Sequence, residues 1–478
     1  MARQWTIQEL RAWDSRICEQ VEAFGLDCFP QEFEVCNHEQ MLGFMAYHGM
    51  PAHYPHWSFG KSYEKLKTLY DYGVSGLPYE MVINANPALA YLMSNNSLCL
   101  QILTISHVYG HNDFFKNNYM YRDTRPEQTL ASAKLRADRV RNYIEDPSIG
   151  LQAVEEILDA AHGLAMQTRR NTVIRKLSAR EQKEQALEAV QPKPDPYARI
   201  HKPVEYQAPN LERIPLQPEE DILPFIAEYN PYLAEWQRDL LHMVHAETQY
   251  FLPQLETKIM NEGWASYWHH TIMHSLDLPD DLQLEFLIHH NQVIRPVPGG
   301  INPYHLGFKI WQDIRRRYDQ PSAAELKQLA DPDKSGLEKL FEVRESDRDT
   351  SFLRRFLTRE LMQELDMFEH VSDEGQRRVS RLADEENWRA VRDTLLRNTG
   401  MAAIPVIRIR DADYQKSRTL YLQHEHDGRD LQPDYMEHTL AHLYRLWGRR
   451  VVLSSRQGEK EFHVAYDENG FDQLDSAA

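Results

Sequence analysis

Apolar residues recur at three- and four-residue steps through much of this chain, which predicts a mainly helical protein. Trp5, Leu10, Trp13, Ile17, Val21 and Phe24 mark an amphipathic helix over 1–25. Further helical stretches are predicted at about 88–119, 126–145, 150–169, 222–277, 280–292 and 303–318, and 322–400 reads as helical with a charged surface. The pattern breaks in three places. After the first helix comes a run dense in aromatics and His, interrupted by Pro51 and Pro55, which predicts an irregular segment laid over a core. PYEMVIN at 78–84 alternates and predicts a short strand. Residues 178–221 carry Pro and charge without apolar period, as a linker or insertion does.

The tail changes period. IPVIRIRDADY, TLYLQHEHDG, RRVVLSSRQ and KEFHVAYDE read as strands around a helix, PDYMEHTLAHLYRLWG, that stops at Gly448. This ββαββ order predicts a small α+β domain. The expected division is therefore a main helical domain in two parts, 1–177 and 222–330, the linker 178–221, a helical connector 331–399 and the tail domain 400–478. The fold class is mainly α with a small sheet (α+β).

Composition narrows the setting. Charged residues at 26% beside 42% apolar residues describe a globular chain rather than a disordered one. A net charge of −18 repels phosphate and anionic lipid, so no nucleic-acid partner is expected. No apolar run reaches the roughly 18 residues of a membrane span, and the first residues lack a secretory h-region. Cys18, Cys28, Cys36 and Cys99 form no C-x-x-C pair and read as reduced thiols. A cytoplasmic location is expected.

The candidate chemistry sits in two helical motifs. SHVYGHND holds His107, His111 and Asp113. Residues four apart share a helix face, with Cβ atoms about 5–6 Å apart, so two imidazoles there can grip one ion. Spacing alone is weak evidence: 22 His in 478 residues give about one such pair by chance. His270/His274 and His438/His442 repeat it, and the latter reads as a helix-surface pair. NEGWASYWHH holds Glu262, Tyr267 and His269. Glu262 is a natural third ligand, and Gly263 beside it permits a close helix approach. His269 stands seven residues on, about 10 Å along the axis, and is cast as a group behind the ligands or facing substrate. The other reading of these residues is a set of hydrogen-bonded core polars.

The hydrolytic motif H-E-x-x-H carries a Glu that activates water. Here Val108 occupies that position. A base must come from elsewhere, and Glu247, Asp113 and His269 are the candidates. Tyr267 or Tyr304 is a candidate donor to an oxyanion. Glu80 on the predicted strand reaches the site or forms a strand-edge ion pair. His48, His53 and His56 read as packing groups, and His289 and His290 as partners of helix-end carbonyls.

Several longer runs belong together: QEFEV, MAYHGMPAHYPHWSFGKSYEKLKTLYDYGVSGLPYEMVIN, SHVYGHNDFFKNN, KIMNEGWASYWHH and GINPYHLGFKIWQDI. These resemble the stage V sporulation protein R (SpoVR) family along almost the whole chain. The resemblance implies a link to the spore cortex in spore formers and to stress response elsewhere. It also implies a PrkA-type serine kinase and a von Willebrand factor A-type protein as partners. H-x-x-x-H followed by E-G-W-A-x-Y is further similar to zincin metallopeptidases, which implies a zincin-like helical domain. His107, His111 and Glu262 would then hold zinc or another divalent metal. Two functions are expected from this: a metal-dependent hydrolase of a peptide, amide or cell-wall precursor, or a non-catalytic regulator or scaffold beside the kinase.

Overall fold

A computed structural model describes residues 5–74, 76–170, 175–189, 210–297, 299–373 and 376–474. The chain divides into two compact units. The first comprises Met1–Arg141 and Gln249–Ala403, the second Asn142–Thr248 and Ile404–Ala478. Residues 142–177 and 222–248, expected in the main helical domain, thus group with the tail. Of the predicted linker, 179–189 form a helix with no buried residue, and 190–209 lie outside the described residues.

The first unit is built around the helix Leu98–Asn117, whose residues from Leu98 through Phe115 are all buried. Ser97 starts it, its hydroxyl accepting from the backbone N–H of Leu100 at 3.2 Å. The helix Lys258–Ser275 packs against it and, on another side, against the helix Pro303–Asp319. Glycines set both distances. A Cβ on Gly110 would stand 2.6 Å from the Ala265 Cα, and one on Gly263 would stand 2.4 Å from the Gly307 Cα. Both crossings therefore bring backbone against backbone. Around them Trp264, Trp268, Trp311, Phe286 and Phe352 fill the core, with Trp264 and Trp311 edge to face at 4.8 Å between ring centroids.

The helix Lys258–Ser275 has no side-chain cap of its own. The buried Asp349 accepts instead from the backbone N–H groups of Ile259 and Met260, at 2.8 and 2.9 Å. A carboxylate there suits the positive end of the helix dipole.

A three-stranded sheet completes the unit: β1 (Gln31–Cys36), β2 (Glu80–Ile83) and β3 (Ala88–Met93), in the order β1-β3-β2. β1 runs parallel to β3, and β2 runs antiparallel to it with Glu80 opposite Leu92. Two expectations are corrected here. Residues 88–93 are a strand, not the start of the following helix, and β1 was not foreseen. The expected helical connector is also interrupted, by the hairpin β4 (Phe368–Asp373) and β5 (Gln376–Leu382).

The second unit carries β6 (Ile407–Tyr414), β7 (Thr419–His424), β8 (Val451–Gln457), β9 (Lys460–Asp467) and β10 (Gly470–Leu474), in the order β10-β9-β8-β7-β6. β7 and β8 are parallel and joined through the helix Pro433–Trp447, which ends at Gly448 with φ +70°. The predicted ββαββ pattern is present and gains β10 as a fifth strand, paired to β9. The fold is α+β, as expected. No helix among the described residues is long and apolar enough to cross a membrane.

Two outcomes follow for stability. An Ala in a helix interior ordinarily gains about 0.5–1 kcal/mol over Gly. Gly110→Ala should instead lose about 1–2 kcal/mol, because the new methyl meets backbone that cannot rotate away. Denaturant unfolding followed by tryptophan fluorescence reads the sign. Asp349→Ala leaves two buried N–H groups without their acceptor and should cost about 1–3 kcal/mol in the same measurement.

Candidate metal centre

On the helix Leu98–Asn117, buried from Leu98 through Phe115, each polar side chain in that stretch must find a partner inside the protein. Asp113 does so completely. Its Oδ1 accepts from Arg344 Nη1 at 2.6 Å and from the backbone N–H of Asp27 at 2.8 Å, and its Oδ2 accepts from Trp264 Nε1 at 2.8 Å. Asp113 thereby ties three segments together.

His107 and His111 lie on one face of this helix, their ring centroids 4.6 Å apart. Opposite them, beside the Gly110–Ala265 crossing, stands Glu262. Its Oε2 is 3.4 Å from His111 Nε2 and 3.9 Å from His107 Nε2. Glu80, the first residue of β2, enters from another side, with Oε1 3.8 Å from His107 Nε2. Glu80, His107 and His111 offer ligand atoms that all lie within 4.8 Å of one another.

These separations bear on both readings of the cluster. All three exceed a hydrogen bond of about 2.9 Å, and the shortest, to His111, is loose. Two nitrogen or oxygen ligands about 2.0–2.1 Å from a tetrahedral ion stand about 3.3 Å apart. His107 Nε2 and Glu262 Oε2 are both buried, and neither has a hydrogen-bond partner among the described residues. Two orphaned polar atoms facing one point are costly in a closed core and natural around a cation. Two imidazoles and one carboxylate are also a protein ligand set that catalytic zinc takes. The donor set fits zinc.

The backs of both imidazoles are held. His111 Nδ1 lies 2.8 Å from Asn261 Oδ1, so that ring donates to the amide oxygen and turns its Nε2 toward Glu262; burial lowers the imidazole's pKa, but Glu262 and Asn261 outweigh it and raise it. His107 Nδ1 lies 2.9 Å from His269 Nδ1, and His269 Nε2 lies 2.8 Å from His290 Nδ1. His269 therefore stands behind His107. Burial, with the neighbouring His107 and His290, holds its pKa well below the usual imidazole value. Burial likewise depresses His290, to about 3.

The two carboxylates diverge. Burial would raise Glu262, but His107 and His111 outweigh it and hold the group well below the ordinary carboxylate range. For Glu80, burial prevails over the imidazoles and pushes the pKa up. Tyr304 stacks near His107, ring centroids 6.0 Å apart, and the charge of Glu262, then burial, raises its phenol well above the usual value.

Three further candidates have these settings. Tyr267 is buried, and its hydroxyl accepts from Arg315 at 3.0 Å. Glu247 belongs to the second unit, whereas Glu80, His107, His111 and Glu262 belong to the first. His290 is buried and hydrogen-bonded to His269, rather than serving the end of its helix. The signal for it was present: Leu282, Phe286 and His290 form one buried stripe at four-residue steps. The signal for Glu80 is an acidic residue opening an apolar strand, EMVI.

Comparison with known proteins adds the following. A family model described as SpoVR like protein matches residues 4–404, and one described as SpoVR-like C-terminal domain matches 405–458. A protein of Escherichia coli (strain K12), uncharacterized protein YcgB, is 34% identical over 477 residues, covering 95% of this chain and 92% of that one. No solved structure matches. With both models matched in sequence order and a relative aligned nearly end to end, the chain belongs to the SpoVR family.

Proposed function

We propose that the chain holds one divalent metal ion, zinc by its donor chemistry, between His107, His111 and Glu262, and hydrolyses an amide bond with Glu80 as its base. The observation that carries this reading is the pair of buried, unpartnered atoms His107 Nε2 and Glu262 Oε2, 3.9 Å apart. When bound, such an ion polarises a carbonyl and lowers the pKa of a coordinated water.

The chain's own residues divide the work. Glu262, kept ionised by its imidazoles, serves as a ligand. Glu80, pushed up by burial, is the better proton acceptor of the two. Carboxylates driven apart in this way mark separate tasks. Glu80 thus supplies the base that Val108 cannot. Tyr304, kept protonated beside Glu262, donates a hydrogen bond to the developing oxyanion. The side chains of Glu80 and Glu262 remain 14% and 19% exposed, which gives water a route to the carboxylate side. Sporulation in the family's name directs the choice of substrates toward peptidoglycan peptides.

Elemental analysis of the purified protein should find about one zinc per chain, lost in both His107→Ala and Glu262→Ala. Metal-free wild-type protein with native folding ends the reading. Glu80→Gln should keep the metal and lose about 10²–10⁴-fold in turnover on a panel of amide and cell-wall peptide substrates. Loss of metal in Glu80→Gln would make Glu80 a ligand and remove it as the base. Full metal without turnover in wild type would leave the regulator beside a PrkA-type kinase as the reading to test.

A further inference from the structure

The two candidate imidazole ligands are supported differently. His111 leans on an amide oxygen, Asn261 Oδ1. His107 leans on two further imidazoles in series: His107 Nδ1 to His269 Nδ1 at 2.9 Å, then His269 Nε2 to His290 Nδ1 at 2.8 Å. All three rings are buried, at 3%, 0% and 5% exposure, so water does not compete for these nitrogens.

A neutral imidazole has one N–H and one lone pair, on different nitrogens. Each nitrogen-to-nitrogen bond needs one of each. The three tautomers are therefore coupled, and the row has only two fully bonded states. In one, the protons sit on His107 Nδ1, His269 Nε2 and His290 Nε2, all donating away from the centre. His107 then presents a lone pair on Nε2 toward Glu262 and Glu80. In the other state every proton shifts to the opposite nitrogen, and His107 Nε2 carries hydrogen and cannot ligate.

We propose that His290 is a positioning residue for the metal site. Its Nδ1 accepts the His269 Nε2–H, and through His269 this holds His107 in the ligating tautomer. His290 bonds to neither of the candidate His ligands directly and lies on a separate helix, Asp280–Val293. The inference rests on the metal reading above and specifies how its first ligand is oriented. Removing the acceptor leaves a buried N–H on His269. The favourable relief is for that proton to move to His269 Nδ1, which reverses the bond to His107 and places hydrogen on the ligating nitrogen.

The test uses the full chain, with zinc as the probe, in wild type, His290→Leu and His290→Asn. Wild type should bind one zinc by calorimetry. His290→Leu should fold as wild type by circular dichroism and bind about 10–100-fold more weakly. His290→Asn, whose Oδ1 can accept the same N–H, should recover most of that loss. Nitrogen-15 spectra of histidine-labelled protein without metal should show the His269 proton on Nε2 in wild type and displaced from it in His290→Leu. Unchanged affinity in folded His290→Leu overturns the proposal while the metal reading stands, as does a wild-type His269 proton on Nδ1. A wild type that binds no zinc overturns both.

Discussion

Two backbone-to-backbone helix crossings govern the geometry of this molecule. Gly110 against Ala265 and Gly263 against Gly307 leave no room for a Cβ. The neighbours of those glycines are the site: His111 follows Gly110, and Glu262 precedes Gly263. A carboxylate has a short reach, so Glu262 comes within 3.4 Å of His111 only because its helix lies against the other one. Asp349 at the start of the Glu262 helix and Asp113 in the middle of the His107 helix fix both elements along their axes. Close packing, capping and the cluster are one arrangement.

Burial then gives that cluster its electrical character. Four titratable side chains share a small, poorly solvated volume, and their differences come from who faces whom. Glu262 stays charged because His107 and His111 outweigh its burial, whereas at Glu80 the same two imidazoles are outweighed by desolvation. His269 meets other imidazoles and stays neutral. One carboxylate held ionised and one shifted toward its protonated form thus stand within one cluster.

Much of this was legible from residue order, and the misses have physical causes. The helix Pro303–Asp319 was found nearly to its ends, whereas 222–277, read as one helical stretch, holds three helices, Ile222–Tyr229, Glu235–Glu256 and Lys258–Ser275. β3 was absorbed into a helix because ALAYLM is a short apolar run, buried except for the half-buried Leu89, which period cannot separate from buried helix. β1 was missed because QEFEVC carries Glu32 and Glu34 on exposed positions and reads as polar. The His107, His111 and Glu262 cluster followed from spacing and motif. Asp113 did not, because the partner that occupies it, Arg344, is 231 residues away and leaves no local trace. Long-range pairing of this kind is the information that a pattern of neighbours lacks.

The position of Val108 completes the argument. In H-E-x-x-H, the Glu next to the first His needs water on its side of the helix. The helix here is enclosed from Leu98 through Phe115, and Val108 is 0% exposed. One residue on from His107 is about 100° around the axis, away from the face shared with Glu262. A carboxylate there would be a buried charge without a partner, at a cost of several kcal/mol. A fold that buries its central helix must bring any base from another element. The end of a short edge strand is suited to this, since it can place a carboxyl beside His107 while leaving it partly in water. Glu80, opening β2, meets both conditions.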